Sequence, residues 1–418
     1  MKRRKLMTQS KENSSPVAWS ESEAFTQNPY PVFQHFRKHN PIEHMIMPDG
    51  KTAWMIFSYE AAVAALKEER FIKDASKLAN EEADEEKAKQ ALAYQTSFFS
   101  NHLLEIDPPD HHRLRSLVQK AFTPRMVANL QPKIKAVTND LLDQMKDQGT
   151  VDLIETFAFP LPITVICDLL GVPSKDYDNF HMWSSAFIEA MNNPEQIQQI
   201  TPIMEDFSHY IDHLVDYKQH NLKDDLISHL IEVKEQGEPL TKEEMRSLVF
   251  VLIVGGHQTT ESLIGSGILT LLQHPEQLNK LTEDQTLIDS ALEEMLRYEA
   301  PLEFTTTRWA SEDLIFYDQS ISKGELILIA LGSANRDPEV FQDPETFDIT
   351  RKYNQHLAFG KGIHHCLGAP LARLEGQIAI LALLERYPHL KLAVEPNALQ
   401  WRPGLLIRGL KQLPIKLV

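Results

Sequence analysis

Apolar residues recur three and four apart along most of this chain, and Pro, Gly and Asn/Asp clusters cut the pattern into helical segments of ordinary length with no internal repeat. Stretches of strand character are few and short. The best are Thr52 to Phe57 and a pair, Leu314 to Tyr317 and Glu325 to Leu331, expected to be joined by a turn that carries Lys323 and Gly324. The pattern predicts a mainly α protein with a small β region. From Asp74 to Glu105 no period is sustained: an acidic run, EEADEEK, precedes Phe98 and Phe99, which reads as a long loop with a short helix.

The longest helix is announced by Thr241 with Glu244 three positions on, a capping box, and its pattern continues to about Gln273 before Pro275 stops it. At about 1.5 Å per residue it spans roughly 50 Å, so it must cross the middle of a globular body. Inside it lies GGHQTTE, Gly255 to Glu261. Paired glycines weaken a helix, and threonines can bond back to its carbonyls, so a local bulge or groove is expected there. A packing notch and a catalytic site both account for such a stretch.

Composition narrows the function. The formal charge of −17, from 59 acidic against 42 basic residues in 418, argues against a nucleic-acid partner, which needs a positive footprint. Only two cysteines occur, Cys167 and Cys366, with no CxxC spacing, which points to a reducing compartment. MKRRKL opens the chain without an apolar stretch behind it, and residues 1–20 are expected to be a disordered arm on a cytoplasmic protein. The most apolar internal run, Leu248 to Val254, is far shorter than the roughly 20 residues a membrane span needs. Residues 21–418 read as one domain.

The chemistry concentrates in FGKGIHHCLGAPLARLE, from Phe359, where a glycine-rich loop presents Cys366 immediately before an amphipathic helix with Pro370 in its first turn. Gly360 and Gly362 permit positive φ and close approach of a flat ligand. The helix N-terminus favours thiolate over thiol, and Phe359 can shield the sulfur. His364, His365 and Cys366 are consecutive and do not easily converge on one tetrahedral zinc ion. Cys167, in LPITVICDLLGVP, reads as core packing.

FGKGIHHCLG resembles the cysteine-loop signature of the cytochrome P450 family, FGxGxHxCxG, at every specified position. Three more segments follow the family's order, so the resemblance runs from about Asn28 to the C-terminus. GGHQTT is similar to its central-helix pattern, with Gly256 and Thr259 in place. Glu294 and Arg297 in ALEEMLRYEAP match its ExxR pair, expected to form a buried network behind the cysteine loop. DPPDHHRLRSLVQKAF resembles its helix beside the haem.

The resemblance implies the cytochrome P450 fold and haem b, held by the thiolate of Cys366 within a loop that includes Phe359 and Gly368. It also implies that His111, Arg115, Arg308 and His364 reach the haem propionates, with His112 and Arg113 facing outward. The implied reaction inserts one oxygen atom from O2 into a C–H bond of a hydrophobic small molecule. Electrons come from a ferredoxin or flavodoxin with its reductase, for which Arg113, Lys120, Arg125 and Lys361 offer a basic docking patch. Expected pocket residues are Phe98, Phe99, Val251, Gly255, Phe304, Thr305 and Leu406, which suit a fatty acid, terpenoid, steroid or polyketide.

One departure matters. The family has Asp or Glu where this chain has Gln258, and a neutral amide can hold water but cannot donate and regain a proton. Thr259 and water are then expected to carry protons to the oxygen side, fed by another acid such as Glu261. The missing acid keeps open a peroxide-driven haem-thiolate enzyme, and a haem-binding sensor without turnover is the reading from outside enzymology.

Overall fold

The structure is a computed structural model that describes residues 22–47, 50–78, 102–192, 199–233 and 240–418. The expected N-terminal arm and the pocket candidates Phe98 and Phe99 lie outside the described residues.

Helices dominate, and the central one runs over Lys242–Gln273. Its capping box is complete: Thr241 Oγ1 accepts the Glu244 N–H at 3.1 Å, and Glu244 Oε2 accepts the Thr241 N–H at 2.8 Å. After His274, Pro275 opens a new helix, Pro275–Glu283, since its ring cannot continue the old one. Every residue from Glu261 to Leu271 is buried. The helix packs against Pro160–Leu170, Ile288–Tyr298 and Ala369–Arg386, which together form the largest apolar core. Among the described residues it alone is long and apolar enough to cross a membrane, and most of that stretch is buried against other helices.

The strands are β1 Ile42–Ile46, β2 Thr52–Ile56, β3 Phe71–Ile72, β4 Thr150–Asp152, β5 Arg308–Ala310, β6 Leu314–Phe316, β7 Gln319–Ile321, β8 Leu326–Ile329, β9 Lys391–Leu392 and β10 Pro414–Lys416. They form a five-stranded sheet in the order β1-β2-β8-β5-β3, a three-stranded sheet β4-β10-β9 and the hairpin β6-β7. The expected hairpin is therefore corrected. Leu314 to Phe316 pairs with Gln319–Ile321 through a turn at Tyr317, whose φ of 52° lies in the left-handed region. β8 instead enters the large sheet, parallel to β2 and antiparallel to β5. All four residues of LILI in β8 are buried, as a central strand covered on both faces requires. Placed there, the sheet directs β5, with Arg308 at its start, toward the cysteine loop.

Candidate active site

The cysteine loop is closed by its own backbone. The Cys366 N–H donates to Phe359 O at 2.9 Å, and Gly360 and Gly362 take φ of 67° and 77°. A Cβ on Gly362 would sit 2.8 Å from Leu66 O, so only glycine lets the loop lie on the helix Tyr59–Lys67. Gly368 caps the helix Ala369–Arg386, and the amides of Gly368 and Ala369 both approach the sulfur. Crowding by protein pushes the Cys366 thiol up, while those two amides, Arg115 and Arg373 act the other way. Burial outweighs them, so the free sulfur stays a thiol, and the two amides with Arg115 and Arg373 are the groups that would steady its negative charge once a cation is bound. Cys167 is fully buried in the core.

Behind the loop the pairs Glu294–Arg297 and Glu293–Arg373 are fully partnered. Glu294 and Arg297 are both 0% exposed and doubly bonded, each contact at 2.8 Å. Arg297 also donates to the carbonyls of Asn335, Pro344 and Thr346, while Glu294 accepts from Asp348 N–H, Arg351 and Asn354. The pair thus ties three loop segments to one helix turn. Arg373 stacks 4.5 Å over the Phe359 ring and is gripped by both oxygens of Glu293, at 2.6 and 2.8 Å.

On the adjoining side stands a cluster of cations with too few anions. His111 is completely buried, and neither of its ring nitrogens has a protein partner. The His364 ring lies 4.3 Å from it with Nδ1 unpartnered, and Arg308 Nε is likewise orphaned. Arg115 donates to His365 O at 2.7 Å. Lys73 joins them, buried, its Nζ bonded to Thr306 Oγ1 and Thr307 O. Burial, aided by the neighbouring cations, lowers His111 to about 4 and pushes Lys73 well below its ordinary value. Arg308 falls to about 10 through burial, against Asp107. The partnerless nitrogens of His111, His364 and Arg308, set beside the cations Lys73 and Arg115, form a receptor for an anion, and a pair of carboxylates fits it. The orphaned atoms beside a single accessible thiol suit a haem with its two propionates.

On the other flank, the central helix remains α-helical through Gly255–Thr259. Thr259 Oγ1 donates to Gly255 O at 2.7 Å, and Thr260 Oγ1 donates to Gly256 O at 3.0 Å. The expected irregularity takes the form of a groove, because a Cβ on Gly255 would meet nothing within 4 Å. Val251, Gly255 and Thr259, four apart, share the accessible stripe. Gln258 and Glu261 do not: they are 2% and 1% exposed.

The family model described as Cytochrome P450 matches residues 27–411. The chain belongs to the cytochrome P450 family. The polyketide biosynthesis cytochrome P450 PksS of Bacillus subtilis (strain 168) is 41% identical over 94% of this chain and 96% of its own length. The PksS structure superposes with a TM-score of 0.88, at 40% identity, covering 95% of this chain and 99% of that one. Cytochrome P450 monooxygenase PikC of Streptomyces venezuelae is 43% identical over 94% of this chain and 92% of its own. The myxobacterial P450 CYP267B1, solved with myristic acid, has a TM-score of 0.88 at 38% identity, covering 95% of this chain and 98% of that one. This P450 is accordingly an oxidoreductase of the monooxygenase type, and the family's cofactor is haem iron.

Two expected positions, Phe304 and Arg113, are corrected, and three others are placed. Phe304 does not line the groove: its ring packs edge-on against Phe33 at 5.8 Å and Phe57 at 6.4 Å in an aromatic core. Thr305 and Leu406 are both half-buried; the Thr305 hydroxyl accepts the Ile329 N–H at 3.3 Å, and Leu406 O accepts the Glu303 N–H. Arg113 is removed from the basic patch by an ion pair with Glu244 at the start of the central helix. Glu261, two residues beyond Thr259, lies about 200° round the helix from it. Two functional side chains escaped sequence reading. Lys73 stands in FIKD without spacing to mark it, whereas Arg373, seven residues after Cys366, was detectable as the cation two helical turns beyond the sulfur.

Proposed function

We propose that this P450 hydroxylates an extended aliphatic acyl compound, a polyketide or a fatty acid, in the cytoplasm, with Cys366 as axial ligand of haem b. The carrying observation is the open groove at Gly255 beside Thr259, between the apolar Val251 and a hydroxyl, which gives an aliphatic chain access to the oxygen side. The relatives named for polyketide biosynthesis and the neighbour holding myristic acid support this substrate class. Arg308, His111, Arg115 and His364 would hold the propionates, and Arg373 would fix Phe359 against the sulfur. When bound, the haem supplies dioxygen activation and transfer of one oxygen atom to a C–H bond.

The protein's own part is positional. The Glu294–Arg297 network holds the loop, the helix amides steady the thiolate, and the buried helix turn controls water and protons. Electrons would come from a ferredoxin or flavodoxin with its reductase, docking near Lys120, Arg125 and Lys361. The deciding experiment is product formation by holoenzyme with a surrogate ferredoxin and reductase, NADPH and O2. Myristic acid, a macrolactone and testosterone are offered in parallel, after each is tested for a low-to-high-spin shift. Oxidation of testosterone alone would sink the acyl assignment. The amide at Gln258 favours a second reading, peroxide-driven turnover, which product from hydrogen peroxide but not from reductant and O2 would establish.

A further inference from the structure

We infer that the acid absent from position 258 has been transposed to Glu261, which supplies protons to the Thr259 side through the buried polar path around the central helix. This rests on the monooxygenase reading above. With about 100° per residue, Gln258 stands about 100° from Thr259, and Glu261 about 60° further in the same direction. Gln258 therefore lies between the hydroxyl and the carboxyl. Its Oε1 is buried without a protein partner, and so are His257 Nε2, Glu261 Oε2 and Ser262 Oγ. His257 Nδ1 is engaged by Ser184 Oγ at 2.9 Å, which leaves Nε2 for this path. Four orphaned polar atoms within six residues cannot satisfy one another through the helix backbone, and buried groups of this kind are bridged by water.

Glu261 is also connected to solvent. Arg402 Nη2 donates to its Oε1 at 2.6 Å while keeping 23% of its own side chain exposed, and the half-exposed Asp152 lies within electrostatic reach. Gly409 brings the C-terminal segment close enough for this contact, since a Cβ there would stand 2.7 Å from Ser262 Oγ. Glu293 and Glu294 commit both oxygens to cations, whereas Glu261 commits one to Arg402 and leaves Oε2 buried without a protein partner. Burial raises the Glu261 carboxyl above its ordinary value against the pull of Arg402, so it can release and regain a proton nearer neutrality.

The balance is explicit. Productive turnover consumes O2, two electrons from the external reductant and two protons, converting R–H to R–OH and water. Without timely protonation, the same electrons and protons leave as H2O2. Glu261 gives a proton to water at Gln258 and is reprotonated from solvent past Arg402.

The test uses holoenzyme with a surrogate ferredoxin and reductase, NADPH, O2 and myristic acid as probe. Product, peroxide and the solvent deuterium isotope effect are measured for each NADPH consumed. Glu261→Gln should cut product per NADPH about a hundredfold, the low end of what a general acid contributes, and enlarge the isotope effect. The double variant Glu261→Gln with Gln258→Glu should return product to within about twofold of the parent. Arg402→Gln, which breaks the ion pair but leaves the carboxyl, should keep most of the yield. It stands in if Glu261→Gln fails to hold haem, as judged from the reduced carbon monoxide spectrum. Unchanged coupling in Glu261→Gln, no rescue in the double variant, or Arg402→Gln as impaired as Glu261→Gln would each overturn the inference. A parent enzyme that consumes no O2 with reductant overturns the monooxygenase reading itself, and this inference with it.

Discussion

The two flanks of the site handle buried polarity in opposite ways. Behind the cysteine loop, Glu294, Arg297, Glu293 and Arg373 use nearly all their hydrogen-bonding capacity within the protein. Around His111 and Arg308, and again along His257 to Ser262, buried donors and acceptors are left without protein partners. A saturated network specifies one shape, and its parts are costly to remove singly. An unsaturated one carries a standing desolvation cost that only a non-protein partner offsets. The first flank therefore reads as scaffold, and the second as places prepared for cofactor carboxylates and for water.

The largest effect is expected from breaking the saturated side. Arg297→Leu strips Glu294 of its bidentate partner and frees the carbonyls of Asn335, Pro344 and Thr346. Glu294 would keep Arg351 as its one cation, so the loss should fall near the low end of the about 3–5 kcal/mol that breaking a buried pair costs, still enough to prevent a stable holoprotein. Urea unfolding and the yield of haem-loaded protein measure it. A variant that loads haem normally and unfolds at the parental urea concentration would erase the proposed contrast.

A smaller effect of opposite sign sharpens the contrast on the cationic side. His111→Phe removes two orphaned nitrogens and one of the groups that, after burial and Lys73, lower His364. The cofactor-free chain should be as stable as the parent or more so, by about 1 kcal/mol, because an unsatisfied buried group is gone. Haem transfer to apomyoglobin should nevertheless become faster. Loss of stability in the cofactor-free chain without faster haem release would mean that His111 is ordinary core.

These contrasts also explain what could be read from sequence. The capping box of Thr241 and Glu244 and the helix end before Pro275 were legible because each depends on residues close in sequence, whereas the burial of the Glu294–Arg297 pair was implied by the family resemblance and not by its spacing. The pairing of β8 with β2 was not: it joins Leu326 to Ala53 in parallel, and no local turn signal carries that information. Lys73 was invisible for the same reason, since its neighbours Thr306 and Thr307 lie more than 230 residues away. Phe304 misled because an aromatic residue beside a sheet serves a core as readily as a pocket. Gln258 was noticed from its identity alone, but its burial and its place between Thr259 and Glu261 required the helix to be set in its surroundings.

The smallest predicted effect concerns a region intermediate between the two flanks, where two carboxyls, Glu299 and Glu303, share Arg408. Arg408 meets both Glu299 and Glu303, and Arg336 and Tyr30 crowd the same place. Burial first and then Glu299 push Glu303 from 4.5 to about 7, against the pull of Arg408. A carboxyl raised on folding binds more protons in the folded than in the unfolded chain between those two values. Its contribution to stability is therefore fully present below about pH 4.5 and is lost as pH rises toward 7. One such group changes stability by at most about 1.4 kcal/mol per pH unit. Glu303→Gln should flatten that part of the profile, measured as melting temperature between pH 5 and 8, while leaving the slope below pH 4.5 to carboxylates such as Glu293. The Arg373 and His356 partners hold Glu293 down near 2 against its burial, so its contribution disappears only in acid. If parent and Glu303→Gln keep the same slope from pH 5 to 7, the Glu303 carboxyl is already neutralised by Arg408. This third region would then belong with the saturated scaffold.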